Sequence, residues 1–170
     1  MLDELRSSYE ENEAMSEKEP DVLEMLIRHE LAIKKLYEIF AVMFPNRKDF
    51  WQGLADDEKR HADWFGTLRS EETLEKWLLS DGRLKPQAIK SSIGYVESQI
   101  VRAQNSRLSL LQALSIANDL ENALLEKQFS KIDESVAAEV GSVLMNIAAE
   151  TLKHRKTIVE AIDAEKRLML

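Results

Sequence analysis

The chain has 170 residues, a formal net charge of −8, no cysteine, and few helix breakers, with 5 glycines and 3 prolines. The absence of cysteine excludes disulfides, zinc–thiolate sites and a rubredoxin-type iron centre. The acidic charge, without a basic stripe, argues against a nucleic-acid partner. No apolar run approaches the length of a membrane span, and the acidic residues 1–20 do not resemble a signal sequence. The composition therefore favours one helical domain that binds no membrane, with the cytoplasm as its expected location.

The first two predicted helices follow a polar N-terminal arm, residues 1–19, and open a helical domain that spans residues 20–170. The apolar stripe of the first helix ends at Pro45, because a proline disfavours helix in the residue before it. Asn46 is expected to cap the second helix, which runs to about Arg69. Because this joint is so short, the two helices must fold back antiparallel.

A long helical excursion separates this hairpin from the second one. A short amphipathic helix is predicted over Glu71–Ser80, and a further helix follows Pro86. Ser109 and Gln112 form a capping-box pair that opens the third long helix, whose stripe continues to Gln128. No strand pattern is convincing. The sequence therefore predicts an all-α bundle of two antiparallel hairpins joined by a helical crossover of roughly forty residues.

Each of four predicted long helices carries a carboxylate on its apolar stripe, and two of them add a histidine. The fourth of these helices follows a loop near Ser130–Glu134, and its inner stripe runs from Val140 to Ile162. Glu58 and His61 stand three residues apart, close to one helical turn, so they share one face. Ionisable groups on an apolar face need partners, because burying them unpaired is costly. Two divalent cations would neutralise the carboxylates, and oxygen with imidazole ligands suits iron or manganese. The candidate ligands are Glu30, Glu58, His61, Glu121, Glu150 and His154.

Other polar residues near these candidates have plainer interpretations. Tyr37 is interpreted as a core tyrosine bonded to a carboxylate, with a redox-active phenol as the alternative. His29 neighbours Glu30 but is interpreted as a surface residue. Glu97, on the crossover, is expected to be solvated or at an interface, with an extra metal ligand as the alternative. For Glu150, the alternative is a surface ion pair with Lys153 or Arg155 on its own helix.

Two stretches of the sequence resemble motifs of rubrerythrin-type di-iron proteins in the ferritin-like superfamily. These are ADDEKRHADWF on the second helix and HELAIKKLY on the first, where Tyr37 follows Glu30 by seven residues. The likeness covers about residues 21–162 and implies a ferritin-like four-helix bundle with paired carboxylate and histidine ligands. The chain departs from the family pattern at Thr151 and Leu124, where glutamates are expected.

The resemblance implies a non-haem dinuclear protein with two iron ions, or manganese, that reduces peroxide or dioxygen or oxidises iron. Glu30 and Glu121 would be single-carboxylate ligands. Glu58 with His61, and Glu150 with His154, would be the paired ligands. Because a rubredoxin centre is excluded, redox chemistry would need an external electron donor. A homodimer is expected, with the crossover helices and tryptophans at its interface.

Two alternatives stay open. The bundle could carry a degenerate or absent metal site and serve as a binding or assembly module, which Thr151 and Leu124 motivate. It could also be a carboxylate-rich carrier or store for iron. Nothing in the sequence supports nucleophilic catalysis, because the chain has no cysteine, no serine elbow motif and no glycine-rich phosphate loop.

Overall fold

The computed structural model describes residues 21–70, 72–79, 84–123 and 138–169, and its regular structure is entirely helical there. The all-α prediction is therefore confirmed. The α-helices within these ranges are α1 Val22–Met43, α2 Lys48–Thr67, α3 Glu72–Leu79, α4 Pro86–Asn105, α5 Leu110–Asn122 and α6 Ala138–Leu168. The predicted arm at residues 1–19 and the positions of Leu124 and Gln128 lie outside the described residues.

Helix α1 begins and ends at signals that the sequence carries. Asp21 is extended, and its carboxylate accepts a 2.9 Å hydrogen bond from the backbone N–H of Glu24. This bond satisfies one of the N–H groups that the first turn of a helix leaves unpaired. At the other end, Phe44 leaves the helical conformation before Pro45. The predicted end of the first helix at Pro45 is confirmed.

The joint between α1 and α2 differs from the prediction. Pro45–Arg47 forms a 3-10 turn, so Arg47 takes the N-cap position of α2 and no side chain caps that helix. The prediction that Asn46 caps α2 was wrong, because the 3-10 turn places this residue before the helix. The turn instead satisfies the backbone itself, since the N–H of Lys48 donates to the carbonyl of Pro45. Helix α1 still packs more extensively on α2 than on any other described helix.

The capping box at the start of α5 is present as predicted. The Ser109 hydroxyl accepts a 3.2 Å bond from the Gln112 N–H, and the Gln112 side chain accepts a 2.9 Å bond from the Ser109 N–H. Helix α5 ends before Gln128, the last residue of its predicted apolar stripe. The helix ends at Asn122, whose side-chain amide donates to the Asn118 carbonyl at 2.6 Å, and Ala123 is extended. Two asparagines in the last turns favour this end, because asparagine competes for backbone hydrogen bonds.

The apolar interior forms two clusters with a polar layer between them. We name them the Trp51 cluster, which includes Leu36, Phe40, Trp51, Leu114 and Ile158, and the Phe65 cluster, which includes Leu26, Phe65, Leu78, Leu144 and Ile147. On each of three helices, a buried polar residue lies between a residue of the Trp51 cluster and a residue of the Phe65 cluster along the sequence. These are Leu26, Glu30 and Ile33 on α1, Phe65, His61 and Ala55 on α2, and Ile147, His154 and Ile158 on α6. The order is reversed on α2, so α1 and α2 run antiparallel.

The helices that enclose this polar layer pack against one another in pairs. Helix α1 packs on α2 and on the crossover helix α4, whereas α5 packs on α6 and α2 touches α6. Four helices from distant parts of the sequence therefore border one polar layer. In the described part of the chain, no helix combines the length and the apolar character that crossing a membrane requires.

Candidate metal centre

Five side chains from four helices meet in the polar layer. Helix α1 supplies Glu30, α2 supplies Glu58 and His61, α5 supplies Glu121, and α6 supplies His154. None of the five is more than 7% exposed. Burial of so many ionisable groups is stable only when they are paired with one another or with cations.

These five residues form two triads that share one carboxylate. Glu30, Glu58 and His61 offer ligand atoms that lie within 4.8 Å of one another, and so do Glu58, Glu121 and His154. The two oxygens of Glu58 divide between the triads. Its Oε2 lies 3.0 Å from His61 Nδ1, and its Oε1 lies 3.2 Å from His154 Nδ1. A carboxylate shared in this way can bridge two cations.

The donor atoms fit a pair of first-row metal ions. His154 is only 3% exposed, yet its Nδ1 makes no hydrogen bond. This atom faces Glu58 Oε1 at 3.2 Å and Glu121 Oε1 at 3.7 Å. A buried polar atom without a partner needs an explanation, and a cation held between these groups supplies one. Carboxylate oxygens with imidazole nitrogens suit iron and manganese better than soft metals.

Each histidine of the centre contacts a carboxylate through Nε2, the ring nitrogen that faces away from the triads. His61 Nε2 lies 3.0 Å from Glu150 Oε2, and His154 Nε2 lies 2.9 Å from Asp57 Oδ2. Both rings therefore turn Nδ1 toward the centre, and they stack with centroids 5.7 Å apart. Such contacts fix the tautomer and the orientation of a metal-binding imidazole.

Arg60 links the two outer carboxylates. Its Nη2 donates to Asp57 Oδ1 at 2.6 Å and to Glu150 Oε2 at 2.8 Å, and its guanidinium lies over the Trp64 ring. Burial acts to raise the pKa of both acids. Hydrogen bonds from Arg60, and from the histidine that each acid contacts, outweigh burial and lower both pKa values. Both acids therefore stay ionised behind the histidines.

Glu150 does not join either triad, although it was expected as a ligand. Its side chain is 30% exposed and contacts Arg60 and the outer nitrogen of His61. The physical reason is that these two groups offer charge pairing at the solvent side of the layer. The basic partner comes from α2 and not from the helix of Glu150 itself. Thr151 takes the buried face one turn before His154, and its hydroxyl donates to the Ile147 carbonyl at 3.0 Å.

Tyr37 supports the second triad. Its hydroxyl donates to Glu121 Oε1 at 2.8 Å, and its ring packs against Trp51 with centroids 5.7 Å apart. The interpretation of Tyr37 as a core tyrosine bonded to a carboxylate is confirmed. Burial, together with the charges of Glu121 and Glu58, raises the pKa of Tyr37. The phenol therefore remains a hydrogen-bond donor.

His29 is not a surface residue, so that interpretation was wrong. It is 1% exposed, with Nδ1 3.2 Å from Glu30 Oε1 and Nε2 2.8 Å from Ser92 Oγ. The signal was present in the sequence, because His29 lies three residues after Leu26 and four before Ile33, on the apolar stripe. Packing of α4 against α1 widens the buried face of α1 to include this position.

Two residues that contact the outer side of the centre, Asp57 and Arg60, were not predicted from the sequence. Asp57 and Arg60 have the spacing of an ion pair on one helix, which is usually only a surface feature. Nothing in the sequence links them to His154 and Glu150. Glu97 is exposed and pairs with Arg28 at 2.7 Å, which fits its solvated interpretation.

The centre retains protons at neutral pH. Burial acts to lower the pKa of both histidines, but the carboxylates that face them outweigh it and raise the pKa of His61 to about 11 and of His154 to about 10. Burial raises the pKa of Glu58 to about 7, against the opposing effect of the two neighbouring histidines. Burial also acts to raise the pKa of Glu30, but the hydrogen bond from His29 and the nearby His61 outweigh burial and lower it. A metal ion must therefore displace protons to bind here.

Comparison with protein-family models, with curated proteins and with solved structures finds no match to this chain. The resemblance to rubrerythrin-type proteins therefore stays a prediction.

Proposed function

We propose that this chain is a ferritin-like, non-haem dinuclear metal protein of rubrerythrin type, with two iron ions, or manganese, in a four-helix bundle. Helices α1, α2, α5 and α6 supply the donors, and α3 with α4 forms the crossover. The observation that carries the proposal is the shared carboxylate of Glu58, which directs one oxygen toward each buried histidine.

The residues divide into ligands and supports. Glu30 and His61 would hold one ion, Glu121 and His154 the other, and Glu58 would contact both. When bound, the two ions would supply electrons and Lewis-acid character for the reduction of peroxide or dioxygen, or for the oxidation of ferrous iron. The Trp51 and Phe65 clusters exclude water from both ends of the polar layer, which strengthens electrostatic interactions within it. Electrons would come from a separate donor, because the chain has no cysteine for a rubredoxin centre.

Metal counting tests this function. The wild-type protein, loaded anaerobically with ferrous iron and desalted, is expected to hold two ions per chain. Glu58→Ala should lose both ions because the two triads share this carboxylate, whereas Glu30→Ala should lose one. Glu97→Ala is the matched control, since Glu97 is exposed and pairs with Arg28. Full iron content in Glu58→Ala would refute the proposal.

A second candidate is a bundle that has lost the metal chemistry and serves as a binding or assembly module. Two observations favour it: Thr151 replaces the expected glutamate, and the buried carboxylates contact the histidines directly. The two functions differ in their response to chelators, because a ligand specific to the folded state raises its stability. A melting temperature that a chelator leaves unchanged would favour the module. The homodimer stays a prediction, which light scattering in solution can check.

A further inference from the structure

The carboxylate of Glu30 is connected to the crossover helix through a buried histidine. His29 Nδ1 lies 3.2 Å from Glu30 Oε1, and His29 Nε2 lies 2.8 Å from Ser92 Oγ on α4. We propose that His29 is a positioning residue that holds the Glu30 carboxylate for metal binding and anchors it to α4 through Ser92. This inference rests on the proposed dinuclear centre.

The two oxygens of Glu30 have separate partners. Oε1 is the acceptor for His29, while Oε2 faces His61 Nδ1 at 3.8 Å and so points into the first triad. An N–H at His29 Nδ1 can donate to Oε1 of the carboxylate, while Nε2 lies within hydrogen-bond distance of the Ser92 hydroxyl, which can donate or accept. The carboxylate is therefore held by one oxygen while the other remains available for a cation.

The burial of His29 supports a positioning role. The residue is 1% exposed, where an apolar side chain would pack without the cost of desolvating an imidazole. Both ring nitrogens find partners, and one of those partners is a ligand of the centre. Outer partners that orient a metal ligand typically contribute about 10- to 100-fold to metal affinity.

The outer contacts of the two triads come from different helices. Tyr37 on α1 supports Glu121, so that contact stays within the four helices that supply the ligands. His29 instead connects Glu30 to Ser92 on the crossover helix. The first triad therefore depends on the placement of α4, and a change at Ser92 should affect one of the two ions.

The test is a titration of each full-length variant with cobalt(II), followed by isothermal calorimetry. His29→Leu should weaken one of the two ions by about 10- to 100-fold and leave the other unchanged. His29→Asn should retain near wild-type affinity, because the asparagine amide nitrogen can replace Nδ1. His29→Gln, whose amide replaces Nε2, should not rescue binding. Ser92→Ala should weaken the same ion, with Ser91→Ala as the matched control, because the exposed Ser91 hydroxyl bonds to the Gln87 carbonyl of its own helix.

A double-mutant cycle assigns the affected ion. Glu30→Ala is expected to bind one ion, and adding His29→Leu should not change the affinity for that ion. Equal affinities in wild type and His29→Leu would overturn the inference while leaving the dinuclear function intact. So would an equal loss at both ions in His29→Leu and His29→Asn, because that pattern indicates a general packing defect. A wild-type protein that binds fewer than two ions would overturn the proposed function, and the inference with it.

Discussion

Arg60 on α2 and Glu150 on α6 form a 2.8 Å ion pair on the solvent side of the polar layer. The pair closes a ring of outer contacts, since Arg60 also holds Asp57, and the two acids hold the outer nitrogens of His154 and His61. One guanidinium thus fixes the orientation of both histidines. The ring ties α2 to α6, two helices that otherwise touch sparingly.

Replacing Arg60 should weaken metal binding more than it weakens the fold. Arg60→Gln removes the link between Asp57 and Glu150, so both histidines lose a fixed orientation, and cobalt(II) affinity should fall by about tenfold or more. The free energy of unfolding should change by only about 1 kcal/mol, because the ion pairs are partly exposed. Calorimetric titration and chemical denaturation measure the two effects. Arg28→Gln, which removes an exposed ion pair with Glu97, is the control and should change neither.

Metal binding should release protons and strengthen as the pH rises. At pH 8 the centre retains protons on His61 and His154, whose pKa values are raised to about 11 and about 10. Loading with two ions should therefore release about two protons per chain, and the affinity for each ion should rise about tenfold per pH unit. Titrations in buffers of different ionisation enthalpy count the protons. A binding enthalpy that does not vary with the buffer would contradict the raised pKa values.

The metal-free protein should lose stability as the pH rises from 7 to 9. Both histidines have an ordinary pKa of 6.5 and a raised pKa in the folded protein. Below pH 6.5 the folded and unfolded states both bind these protons, and their stabilising contribution is complete. Above it only the folded state retains them, so the free energy of unfolding should fall by at least about 1 kcal/mol per pH unit. Urea denaturation with a chelator present measures this slope.

Two comparisons isolate the histidines as the cause of that slope. A variant with His61→Gln and His154→Gln should show a flatter dependence between pH 7 and 9. The metal-loaded protein should also show a flatter dependence, because its histidines are deprotonated in the folded state. An unchanged slope in both would assign the effect to other groups.

Thr151→Glu should make the fold depend on metal. Thr151 lies on the buried face of α6 beside His154, so a glutamate here adds a carboxylate to the polar layer. With a chelator present, an unpaired buried carboxylate should destabilise the protein by about 1–3 kcal/mol or more. Cobalt(II) should reverse that loss and bind more tightly than in the wild type. Thermal melts with chelator and with metal report both effects.

A matched control for this variant lies on the same helix. Thr157 also donates its hydroxyl to the carbonyl four residues earlier, but this hydrogen bond is exposed. Thr157→Glu should therefore leave both melts close to those of the wild type. If Thr151→Glu behaved in the same way, residue 151 would not face the centre.

The sequence by itself determined most of the helices and placed all five residues of the two triads on apolar helix faces. Glu58 and His61 share a face because helical spacing fixes their relation, whatever the helix packs against. The cap at Ser109 and the helix end before Pro45 are local for the same reason, since each depends on a few neighbouring backbone groups. The apolar stripes placed the carboxylates Glu30 and Glu121 on the buried side as well.

Only the tertiary structure decided which side chains meet across helices. Glu150 and His29 illustrate this, because the first turned out to contact Arg60 outside the centre and the second lies buried against α4. Both outcomes depend on how far each helix is rotated about its axis and how it is shifted along its neighbour. No single helix encodes these quantities, because packing, charge pairing and burial over several helices fix them together.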